Sequence, residues 1–124
     1  MWKAMGLTHV TVRLRTFAGP NGSYEADFLV GTQATDSLAP AAELRKAGIS
    51  PVGKTAYELA NARLEEYEFG LAEISFMGEV TAGRVIFGPD NVEPLLGATA
   101  LDSVGITIDP ATRTLKRVPA IPLK

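Results

Sequence analysis

The feature that most constrains this chain is an alternating strand that runs directly into a small-residue turn and then a proline. Tyr24, Ala26, Phe28 and Val30 fall on one face of an extended segment. Gly31-Thr32-Gln33-Ala34-Thr35 follows at once, then Asp36-Ser37-Leu38-Ala39-Pro40. Pro40 suits the first turn of a short helix in which Ala41, Leu44 and Ala47 recur. Ser37 is placed to cap that helix and Gly48 to stop it. A strand that delivers a tight loop to the interior is a way of presenting a chemical group.

The rest of the chain reads as further strands. Val10, Val12 and Leu14 alternate with Thr11, Arg13 and Arg15, and Asn21-Gly22 offers the positive φ of a hairpin tip. Residues 54–60 and 63–69 read as hairpin arms with Asn61-Ala62 at the tip. Residues 71–77 continue the second arm. Its buried face switches from Tyr67, Phe69 and Leu71 to Ile74 and Phe76, which predicts a bend or bulge. Gly78 turns the chain into a strand over 80–87. Gly88-Pro89-Asp90-Asn91 is a turn, and Ala98–Ser103 is one or two helical turns. Ile106-Thr107-Ile108 and residues 114–118 are closing strands around an Asp109-Pro110-Ala111-Thr112 turn. Two short helices among many strands make the fold class all-β, a closed or sandwiched barrel.

Composition narrows the partners. The 124 residues are expected to form one domain over 1–124, with residues 1–5 as a loose extension if Met5 is the natural start. A net charge of −2 offers no basic excess to neutralise phosphates, which argues against nucleic acid. No apolar run is long enough to span a membrane, and Lys3 has no apolar segment behind it as a signal peptide would. Cysteine is absent, which excludes disulfides, thiol catalysis and Cys-based zinc sites and fits a cytoplasmic setting.

The opening loop resembles the active-site loop of retropepsin-like (clan AA) aspartic proteases of bacterial type. Their pattern is two apolar residues, Asp-Thr/Ser-Gly-Ala, then Thr/Ser and Leu-x-Pro. The resemblance extends from about residue 6 to about residue 118, through Ala47-Gly48-Ile49, the hairpin tip Leu59-Ala60-Asn61-Ala62, Leu95-Leu96-Gly97-Ala98-Thr99-Ala100-Leu101, and Ile108-Asp109. It implies a closed retropepsin (acid protease) barrel with a flap hairpin and two short helices.

In that family two subunits each contribute one Asp to a shared dyad. Adjacent carboxylates cannot both ionise, so the pair holds one proton and activates a water that attacks a peptide carbonyl. The resemblance therefore implies a homodimer. It also implies that Gly31 stands at the catalytic Asp position, with Thr32 bracing the two loops and Gln33 replacing the family Gly. Ala34, Leu59, Ala60, Asn61 and Ala62 are the implied substrate-binding positions. Gly31 has no side chain to polarise water, Gln33 crowds the space for substrate, and Asn61-Ala62 alters the flap tip.

Other acids and the single histidine read as structural. Asp36 is expected to face solvent or cap the helix, and Glu25 and Asp27 to be solvated. Glu66 and Glu68 alternate away from Glu65 with no His beside them, so a solvated face is expected and no metal site. His9 lies on the polar face of the first strand without a Ser or Cys partner. No cofactor is indicated. Three functions are carried forward. The first is a catalytically inactive aspartic-protease homologue that keeps an extended-peptide or regulatory binding role. The second is an aspartic endopeptidase of which this is an altered form. The third is a ligand-free structural dimer with its cleft collapsed around Gln33.

Overall fold

The computed structural model describes residues 8–17, 22–31 and 33–123. Strand alternation decides the architecture. In β1 (His9–Arg15), Val12 and Leu14 are buried while Thr11, Arg13 and Arg15 are exposed. β2 (Ser23–Gly31) pairs with β1 antiparallel, from Arg15↔Ser23 to His9↔Leu29, and buries Phe28 and Val30. Asn21 of the expected Asn21-Gly22 tip lies outside the described residues.

The remaining elements are β3 (Ser37–Pro40), α1 (Ala41–Lys46), β4 (Gly53–Glu58), β5 (Leu64–Phe76), β6 (Glu79–Gly88), β7 (Leu95–Gly97), α2 (Ala98–Ser103), β8 (Ile106–Asp109) and β9 (Thr114–Arg117). Six strands close a barrel in the order β1-β2-β7-β3-β6-β5, completed by antiparallel pairing of β5 with β1. β7 lies between β2 and β3, which follow one another in sequence. It runs parallel to β2 and antiparallel to β3. β4 extends the sheet beyond β5, and β8 and β9 form a separate two-stranded ribbon. One core fills the barrel, with Phe28, Leu14, Leu44, Ile74, Leu96, Ile106, Val12 and Val85 its largest fully buried side chains. No helix among the described residues is long and apolar enough to cross a membrane.

Three local expectations are corrected. Residues 37–40 form a strand, and the helix starts at Ala41 with Pro40 in extended geometry at the cap position. Ser37 does not cap it. β5 carries no bulge: its register runs without a skip from Phe69↔Ile86 to Phe76↔Glu79 and from Leu64↔Glu58 to Phe69↔Gly53. Two different covers account for the change of buried face. Ala72, Ile74 and Phe76 point into the barrel, whereas Tyr67 and Phe69 point to the other side, where β5 has left the barrel to pair with β4. Leu71, expected on the buried face, is 48% exposed.

The turns also differ in detail. The hairpin tip spans residues 59–63, held by Leu59 N–H donating to the Arg63 carbonyl and Ala62 N–H to the Leu59 carbonyl. Ala62, not Asn61, takes the positive φ, at 67°. Met77 (φ 52°) shares the β5–β6 turn with Gly78 (φ 78°), as a two-residue hairpin turn requires. Gly48 (φ 84°) does end α1.

Candidate functional site

The loop between β2 and β3 is fixed by backbone groups that its small side chains leave accessible. Ala34 N–H donates to the Gly31 carbonyl at 3.1 Å, tightening the turn. The Ala34 and Thr35 carbonyls accept from Ala98 N–H (2.7 Å) and Thr99 N–H (3.2 Å). The loop thus satisfies first-turn donors of α2 that have no partner within the helix. The buried Ser37 hydroxyl accepts from Gly97 N–H at 3.0 Å. Ser37 therefore ties β3 to β7, and Gly97 is required there: a Cβ would lie 2.5 Å from the Asp36 carbonyl carbon.

Gly31 ends β2 beside Gly97. A Cβ built on it would lie 2.8 to 3.0 Å from three side-chain carbons of Leu95. The space that a side chain at position 31 would need is thus occupied by an aliphatic one. Thr32 lies outside the described residues.

Beside this loop is a cleft of about 600 Å³ between residues 33–38, the β4–β5 hairpin and residues 86–92. Of the sequence-derived site positions, Gln33, Ala34 and Leu59 line it. Gly31, Ala60, Asn61 and Ala62 are not among its wall residues, and the last three are exposed. Gln33 is exposed on the wall of an open cleft.

Asp36 departs from expectation. It neither caps α1 nor points freely to solvent, because its Oδ2 accepts the Tyr57 hydroxyl at 2.7 Å. This bond joins the loop to the hairpin across the cleft. Partial burial pushes the Tyr57 pKa up, the hydrogen bond and charge of Asp36 add to the rise, and Arg84 opposes it. Arg84 lies over the Phe69 ring, 4.0 Å from its centroid, and donates to Thr55 Oγ1. Tyr57 and Tyr67 pack with centroids 6.4 Å apart. Sequence reasoning missed Tyr57, Tyr67 and Glu58 as wall residues. Strand alternation places Thr55 and Tyr57 on one face, but nothing local indicates a partner 21 residues away.

The other polar candidates lie elsewhere. His9 Nε2 contacts Glu93 Oε2 at 2.8 Å, Thr11 donates to Asp27, and Arg13 pairs with Glu25. Glu68 pairs with Arg45 on α1. Among the described residues no three His, Cys, Asp or Glu side chains are grouped to hold a metal ion. No family model matches the chain, and no curated protein matches it.

Proposed function

We propose that this chain is a retropepsin-fold homodimer that has lost the peptidase reaction and holds an extended peptide in the cleft beside its flap hairpin. The observation that carries the reading is at Gly31. The loop, the hairpin and residues 86–92 enclose a cleft, yet the position where the resemblance calls for an acid has no side chain, and Leu95 occupies the adjoining space. Without a carboxylate at position 31, the shared dyad that would activate water and protonate the leaving group has no member from this chain. The open cleft supports a binding role over a collapsed structural one, since its volume and largely apolar walls are those of a ligand site.

The test is cleavage of a mixed peptide library by the unmodified chain and by a Gly31→Asp, Gln33→Gly, Leu95→Ala variant. The unmodified chain is expected to leave the library intact, and the variant to cut it in a pepstatin-sensitive way. Pepstatin-sensitive cleavage by the unmodified chain would overturn the inactive reading. Failure of both to cleave would count against the retropepsin assignment.

A further inference from the structure

The charge of the cleft walls points to a class of ligand. Asp36 and Glu58 are the charged side chains that line it, and no Lys, Arg or His among the described residues does. Leu38, Ile86 and Val92 supply aliphatic surface beside the Tyr57 and Tyr67 rings. Arg84 is engaged just outside the walls, against the Phe69 ring and Thr55. It also approaches the Tyr57 hydroxyl, and it is not among the cleft's wall residues.

We propose that the cleft takes a peptide segment carrying a cationic side chain on an aliphatic stem, a lysine or an arginine; this rests on the peptide-binding reading above. An anionic ligand would meet two carboxylates with no wall cation to answer it. A wholly apolar one would strip water from half-buried Asp36 and return no hydrogen bond. A lysine or arginine meets both requirements, with its methylenes along Leu38, Ile86 and Val92 and its head at the acids. The Asp36 carboxylate has acceptor capacity beyond the one bond it takes from Tyr57. The tyrosine faces add cation–π attraction.

The probes are fluorescein-labelled degenerate nonapeptide pools that differ only in a fixed central residue: lysine, arginine, norleucine or glutamate. Binding to the full chain is read by fluorescence polarisation. The lysine and arginine pools are expected to bind about threefold or more tighter than the norleucine pool, and the glutamate pool weakest, with the preference shrinking as salt is added. Asp36→Asn and Glu58→Gln should each reduce the ratio of lysine-pool to norleucine-pool affinity. Glu58 is exposed, so its variant tests the idea without risk to folding. Equal binding of the lysine, norleucine and glutamate pools would overturn the cationic proposal and leave the peptide-binding reading standing. Absence of binding by every pool would overturn both.

Discussion

At Ala62 the backbone occupies φ 67°, a left-handed conformation that costs an L-residue roughly 1–2 kcal/mol relative to its preferred wells. The residue is exposed at the hairpin tip, and its N–H donates to the Leu59 carbonyl, so the geometry is imposed by the turn. Ala62→Gly relieves the strain but frees the unfolded chain, which returns about 0.4–1 kcal/mol of the gain. The net expectation is a stabilisation of the tip by about 0.5 kcal/mol, read as slower hydrogen exchange of the Leu59 and Ala62 amides. Faster exchange in the variant would show that the turn does not hold this conformation. The sequence placed Asn61-Ala62 at the tip, but did not indicate which residue would carry the strain. Asn61 instead uses its side chain, which accepts from Arg63 N–H at 3.0 Å and leaves the left-handed position to its neighbour.

Among elements, β4 is the strand that extends the main sheet beyond the barrel. It is at the sheet's end and pairs with β5 alone. The Tyr57–Asp36 hydrogen bond is its tether to the loop across the cleft. Tyr57→Phe removes one partly buried bond to a carboxylate, about 1 kcal/mol, and should speed exchange of the β4 amides roughly fivefold with little effect on β1 and β2. Uniform acceleration in all strands would show the bond to be a general stabiliser and no tether. Partial burial of Tyr57 first, and this bond second, also set a pH dependence. Because the folded pKa of Tyr57 is raised above its ordinary value of 10.0, and that of Tyr24 likewise, their contribution is fully present below that pH. It is lost as pH rises through the folded values, since the folded state then holds the proton longer than the unfolded one. Denaturation midpoints should therefore fall above pH 10.0, less steeply in Tyr57→Phe. Element existence was legible in length and composition for the helix Ala98–Ser103, and in alternation for the strand read over 24–30 and found over Ser23–Gly31. The tether was not, because a hydroxyl and a carboxylate on separate elements leave no periodic trace.

At the scale of the molecule, closure of the barrel depends on β7, three residues that join β2 to β3. The sequence marked Leu95-Leu96-Gly97 as an apolar pair before a helix, but the need for glycine arises from the distant backbone of Thr35 and Asp36. Gly97 lies against the carbonyls of Thr35 and Asp36, which are backbone atoms unable to swing aside as a side-chain tip can. Its N–H depends on the buried Ser37 hydroxyl. Gly97→Ala is expected to cost about 3 kcal/mol through forced backbone displacement. Ser37→Ala is expected to cost about 1–3 kcal/mol by leaving a buried N–H unpaired. Gly83→Ala is the matched control, because its Cβ would meet only Ile74 Cδ1, at an ordinary 3.8 Å. Urea denaturation of the three variants separates the cases. If Gly97→Ala unfolds with the same midpoint as Gly83→Ala, β7 is not seated between the loop and β2 as described. A loss confined to Gly97→Ala and Ser37→Ala means instead that the seam which closes the barrel also holds the loop on the wall of the cleft.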